Sequence, residues 1–139
     1  MLRQLIIILA LFWTLTTQAT SDTITFTAPS AVAKTVHNYR AECAAEGGKL
    51  ELDGDEIFKL WTDQGEEAYV IHAMFTCGDL GYLWCGAMGC PTQIVLNDLV
   101  YETDRILQKP PNRISQKSDG SLTYWTPDGS EFNVQRQNN

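Results

Sequence analysis

The ten residues 68–77, AYVIHAMFTC, carry the alternation that decides the fold. With a side-chain period of two, Tyr69, Ile71, Ala73, Phe75 and Cys77 share one face, and Val70, His72 and Met74 share the other. A strand apolar on both faces belongs at the centre of a sheet, with a helix over one face.

The flanking sequence supplies both. Upstream, Phe58 and Leu60 alternate with Lys59 and Trp61 before the turn "TDQGEE" (62–67), which makes a second strand antiparallel to the first. Further upstream, Val32, Val36, Tyr39 and Cys43 recur at spacings of four, three and four, one stripe of a helix. Ser30 is placed to cap its start, and Gly47-Gly48 to end it with a positive φ. Downstream, turn residues at Asn97-Asp98, Ser118-Asp119-Gly120 and Pro127-Asp128-Gly129 separate the short strands "TQIVL", "SLTYW" and "EFNV". The expected fold is α+β, one N-terminal amphipathic helix packed on an antiparallel β-meander sheet. Residues 20–28 form a polar lead-in with a brief alternation at Ile24 and Phe26, and "QRQNN" forms a polar tail.

The opening residues have the layout of a secretory signal peptide. Arg3 precedes an apolar run from Leu5 to Leu15, and Thr17-Gln18-Ala19 makes a small-x-small cleavage site. Eleven residues are too few to span a bilayer core of about 30 Å, which takes about 20. The expectation is a signal peptide over 1–19 and one domain over 20–139, periplasmic or secreted, with no membrane association after cleavage.

Export bears on Cys43, Cys77, Cys85 and Cys90, because an even cysteine count in an oxidising compartment argues for disulfides. Of the three pairings, the faces favour Cys43 on the helix stripe with Cys77 on the aromatic face of the strand, leaving Cys85 with Cys90. The segment Cys-Gly-Ala-Met-Gly-Cys (85–90) has four residues between its cysteines, not the two of a thiol oxidoreductase. A structural zinc site would need paired short spacings, and there is one such pair. A disulfide-closed loop is the reading retained, with no metal and no cofactor expected. Inside the loop, Gly86 and Gly89 leave Met88 at the tip, and "DLGYLW" brings Tyr82, Leu83 and Trp84 up to it. Aromatic and Met side chains on a rigid turn are the material of a protein-binding hot spot, so Tyr82, Trp84 and Met88 are the candidate binding residues; the alternative is that Tyr82 and Trp84 fold back onto the core.

Charge narrows the partner. The chain has ten Lys or Arg against seventeen Asp or Glu, a net charge of −7, which becomes −8 once Arg3 is cleaved. That field argues against nucleic acid; it suits a protein partner of basic character, and it is also what keeps a small protein soluble.

Enzymatic chemistry has little to stand on. His37 borders the helix stripe and His72 lies on the strand's second face, and no serine sits in a Gly-x-Ser-x-Gly setting. The carboxylates of "ELDGDE" and "TDQGEE" fall in turns with no apolar pocket to tune them. Asp53-Gly54-Asp55 begins like a calcium loop, yet Glu56-Ile57 breaks the alternation at the third ligand. A hydrolase or metal-dependent enzyme built on His72 and nearby carboxylates is the alternative, and a structural accessory of the envelope a third.

Residues 40–97 also resemble a group of small exported alphaproteobacterial proteins. There a cysteine-bearing helix ends in Gly-Gly, a strand ends in Cys, and a Cys-Gly-x-x-Gly-Cys loop follows. The resemblance implies a compartment and a scaffold, with no activity. That group's turn reads Asp-x-Asp/Asn-Gly-Asp-Gly where this chain has Thr62-Asp63-Gln64-Gly65-Glu66. By analogy, periplasmic lysozyme inhibitors of the Ivy type also present a loop closed by cysteines four residues apart. The histidine of that inhibitor loop has no counterpart here. The leading expectation is a non-enzymatic domain that binds a macromolecule through residues 82–90.

Overall fold

A computed structural model of the chain describes residues 29–103, 105–134 and 136. The expected signal peptide and the Ile24/Phe26 alternation lie outside them.

The helix α1 covers Ser30–Ala45. Its stripe is as expected: Val32 and Cys43 are buried, and Val36 and Tyr39 pack at the edge of the same cluster. Its end follows from the two glycines. Gly47 takes φ +83°, its N–H donates to Ala44 O, and the Gly48 N–H donates to Cys43 O, the paired bonds of a Schellman ending. Its start differs from expectation. Ser30 is the first helical residue, the preceding Pro29 has no side-chain cap, and the capping oxygens come from Asp98. Asp98 sits in the turn Asn97-Asp98, where φ of 51° and 60° makes a tight two-residue hairpin. Its carboxylate accepts from the Ala31 N–H at 3.0 Å and the Ser30 hydroxyl at 2.9 Å, and these two donors hold its pKa below the usual carboxylate range.

The strands are β1 (Leu50–Glu51), β2 (Ile57–Trp61), β3 (Glu67–His72), β4 (Thr76–Cys77), β5 (Thr92–Leu96), β6 (Leu99–Glu102), β7 (Arg113–Gln116), β8 (Leu122–Trp125) and β9 (Glu131–Val134). They do not form the single meander expected. β2-β3-β5-β6 make a four-stranded antiparallel sheet, β7-β8-β9 a three-stranded one, and β1-β4 a short ribbon. The parallel bridge Thr62–Ile114 joins the two larger sheets at one edge.

β3 is central and covered on both faces. Phe58, Val70, Ile94 and Tyr101 stand in one cross-strand row, facing Ile114, Leu122, Tyr124 and Val134 of the second sheet. On the other face Tyr69, Ile71 and Val95 pack with Val32 and Cys43 of the helix. The chain is therefore layered helix, sheet, sheet, and β3 is the element both cores share. Burying a Val or Ile contributes about 1.5–3 kcal/mol each, which is why an all-apolar strand cannot stay at an edge.

The segment 68–77 is not one strand. β3 stops at His72, whose partner Thr92 is the last pair of the ladder, because the next residue on that side is Pro91, which has no N–H to donate. The Ala73 N–H reaches Pro91 O, the Met74 N–H folds back onto His72 O, and the chain then enters β4, which pairs with β1. Ala73, Phe75 and Cys77 remain buried with the helix core, whereas Met74 is turned out to solvent.

Candidate functional site

Both disulfides are those the face assignments favoured, Cys43–Cys77 and Cys85–Cys90. Two bridges suit an oxidising extracellular or periplasmic setting. Among the described residues no helix is long and apolar enough to cross a membrane. The Cys43–Cys77 bridge ties the last turns of α1 to β4. It passes so close to Gly48 that a Cβ there would fall on the Cys77 sulfur.

The Cys85–Cys90 loop is a miniature hairpin. The Gly86 N–H donates to Gly89 O at 2.9 Å and the Gly89 N–H to Gly86 O at 3.0 Å, with Ala87-Met88 as the two turn residues. A second reciprocal pair, Cys90 with Leu107, docks it on the 105–109 segment. Gly89 is required there: its φ is +122° and a Cβ would fall on the Leu107 carbonyl. On its other side the Cys85 sulfur lies 3.2 Å from the Ala73 carbonyl oxygen, next to Met74. The loop is thus closed by a disulfide, an internal backbone pair and an external one.

The three predicted binding residues separate into two groups. Met88 is 73% exposed and Tyr82 54% exposed. Trp84 turns inward, edge-on to Tyr39 at 4.9 Å and to Phe75 at 6.0 Å, and its Nε1–H donates to a Glu42 oxygen at 2.7 Å. Trp84 therefore anchors the approach to the loop while Tyr82 and Met88 face solvent. Tyr39, within that aromatic cluster, has its phenol pushed up to about 12 by burial first, then by the charges of Glu42 and Glu102.

Sequence reasoning passed over the neighbours of these residues. Met74, Leu80 and Ile106 are also exposed large apolar side chains, as is Leu83, which the sequence places in the approach to the loop. Leu80 and Leu83 flank Tyr82, and the 3-10 turn Gly78–Leu80 with the Gly81 bend is what turns them out. Ile106 joins because Leu107 pairs with Cys90, a contact with no local signal. Met88, Ile106, Pro127 and Phe132 line a groove of about 410 Å³ beside the hairpin.

His72 lies beneath this surface and not on it. It is 3% exposed, and its Nδ1 lies 2.7 Å from the Thr92 hydroxyl, which also reaches the Cys90 carbonyl at 3.4 Å. Its Nε2 is buried with no hydrogen-bond partner among the described residues. Burial lowers its pKa below the ordinary value of 6.5, so the ring is neutral at pH 7. General acid–base work needs a ring within hydrogen-bond reach of the proton it moves; this ring is buried, and among the described residues the side chain it bonds is that of Thr92. Glu56, buried beside the same strand, is occupied by the backbone N–H groups of Asp53 and Gly54 at 2.8 Å each. Among the described residues no three His, Cys, Asp or Glu side chains are grouped to hold a metal ion.

A polar cleft of about 540 Å³ runs between α1 and β6, with Lys34, Asp98, Glu102 and Arg136 on its walls. Asp98 is occupied by the helix start and Glu102 by Gln93, so its acids already serve the fold. No protein-family model, curated protein or solved structure matches the chain.

Proposed function

We propose that this chain is an exported, non-enzymatic domain that binds another protein through the segment Tyr82–Cys90. One observation carries the reading: Met88, 73% exposed, stands at the tip of a turn closed three times over, with Tyr82 and Leu80 exposed on its approach. A single exposed apolar residue is ordinary, but several on a rigid turn and the segment leading into it are characteristic of interaction sites. Rigidity matters because ordering a loop on binding costs about 0.5–1.5 kcal/mol per immobilised side chain, a cost a pre-organised turn has already met. The two disulfides and the expected signal peptide support export to the periplasm or beyond. The resemblance to exported alphaproteobacterial proteins with the same loop agrees with that compartment.

Capture from an envelope extract on the mature, oxidised chain tests the proposal. A partner retained by the wild-type chain and by Lys59→Ala, and released by the double variant Tyr82→Ser/Met88→Ser, is the expected result. Retention of every partner by the double variant would refute it.

A further inference from the structure

We infer that the face this surface docks on is cationic, carrying Lys or Arg around an apolar centre; the inference rests on the docking reading above. Residues 42–56 and 74–90 together hold seven Asp or Glu and a single Lys, Lys49, whereas the other described residues hold eight of each sign. The whole charge imbalance of the described chain thus lies in two segments far apart in sequence. The fold joins them: Cys43 is bonded to Cys77, Leu50-Glu51 pairs with Thr76-Cys77, and Trp84 donates to Glu42.

The partners of these acids separate the two regions further. Each of the eight carboxylates elsewhere accepts at least one hydrogen bond from a side chain or backbone donor. At the joined end, Glu42 and Glu56 are occupied, while Glu46, Glu51, Asp53, Asp55 and Asp79 are exposed with no side-chain partner among the described residues. These five unpartnered carboxylates lie on the same two joined segments as the exposed Leu52, Met74, Leu80, Tyr82 and Leu83. Acidity kept only for solubility has no reason to collect on the segments that carry these exposed apolar side chains. No group of these acids is spaced to hold a metal ion, so a bound divalent cation does not account for them. Like charges crowded within a Debye length of about 8 Å repel one another and raise the local concentration of a cationic face. Such a rim raises association rate and selects partners, while the apolar centre holds them.

Panning a library of short random peptides displayed on phage against the immobilised oxidised chain tests this without knowledge of the natural partner. Four proteins are compared: wild type; an amide variant (Glu46→Gln, Glu51→Gln, Asp53→Asn, Asp55→Asn, Asp79→Asn); a control with five amides elsewhere (Asp63→Asn, Glu66→Gln, Glu67→Gln, Asp119→Asn, Glu131→Gln); and an apolar variant (Leu80→Ser, Tyr82→Ser, Met88→Ser). Near-UV circular dichroism establishes that each is folded. The expected result is that peptides selected on wild type combine Lys or Arg with apolar residues and bind the amide and apolar variants at least about tenfold more weakly. The control should be affected much less. Selected peptides without cationic enrichment, released by the apolar variant alone, would overturn the cationic inference and leave the docking reading standing. Equal loss on the control and amide variants would overturn it as well, because only total charge would then matter. Peptides that bind the apolar variant as well as wild type, or no selection at all, would refute the docking reading and this inference with it.

Discussion

Replacing the two disulfides separately by alanine should cost unequal amounts, in an order set by where each bridge sits. In the chain-entropy account a bridge stabilises by constraining the unfolded chain, more for a longer loop. The Cys43–Cys77 separation of 34 residues corresponds to about 4 kcal/mol, and the Cys85–Cys90 separation of 5 to about 2 kcal/mol. Packing widens the gap. Cys43 and Cys77 are both fully buried between helix and strand, so Cys43→Ala/Cys77→Ala also leaves a void costing about 1 kcal/mol more. In Cys85→Ala/Cys90→Ala, the Gly86–Gly89 and Cys90–Leu107 backbone pairs remain to hold the loop in its native place. Urea unfolding of the oxidised proteins reads the difference. With a denaturant slope of about 2 kcal/mol/M, the midpoint falls by about 2.5 M for the long bridge and about 1 M for the short one. Because single domains hold only about 5–15 kcal/mol in total, the first variant should also lose near-UV dichroism at the lowest urea concentrations. An equal loss from the two variants, or a larger loss from the short bridge, would refute this reasoning and make the hairpin a core element instead of a locally closed loop.

Other expectations follow from individual side chains. Gly89→Ala should cost about 1–3 kcal/mol in backbone strain and displace the Cys90–Leu107 pair. Gly86→Ala, which meets open space at ordinary φ, should be close to neutral, and thermal denaturation of the two compares them. Trp84→Ala should lose about 2–3 kcal/mol from its contacts with Tyr39 and Phe75. Met88→Ser, at an exposed tip, should change stability by less than about 0.5 kcal/mol; a large loss there would mean the tip belongs to the core. His72 predicts a pH dependence. Because burial lowers its folded pKa below 6.5, the unfolded chain binds the proton first as pH falls. Its effect on stability is absent above about pH 6.5, grows more destabilising as pH falls toward the folded pKa, and stays at that full value below it. Urea midpoints of wild type and His72→Gln should therefore converge on a common slope above that pH and diverge below it. Asp98→Ala should leave the first turn of α1 without acceptors, seen as faster amide exchange at Ala31 and no change at the Cys43 end.

Patterns that repeat within a few residues were legible from the chain alone. The stripe Val32, Val36, Tyr39 and Cys43, the Gly47-Gly48 ending, the alternation through β2 and β3 and the turns at 97–98, 118–120 and 127–129 depend on neighbours three or four positions away. Both disulfide pairings followed as well, because they rest on which face each cysteine occupies. The strand break after His72 was not legible in residues 68–77, since its cause is Pro91, the residue just before the partner strand. The helix cap was missed for the same reason: its oxygens come from Asp98, 67 residues beyond the amide it accepts from.

Which loop residues face solvent was decided by tertiary contact alone. Tyr82 and Trp84 are two positions apart in one glycine-punctuated segment, and nothing local separates them. Trp84 finds Tyr39, Phe75 and Glu42 within reach and turns inward, while Tyr82 does not. The same holds for charge. Composition establishes an acidic chain, but it takes the Cys43–Cys77 bridge and the β1–β4 ribbon to join the two segments that carry the unpartnered carboxylates. Periodicity is a property of adjacent residues and survives in the sequence; proximity between distant segments exists only once the apolar faces have chosen their partners.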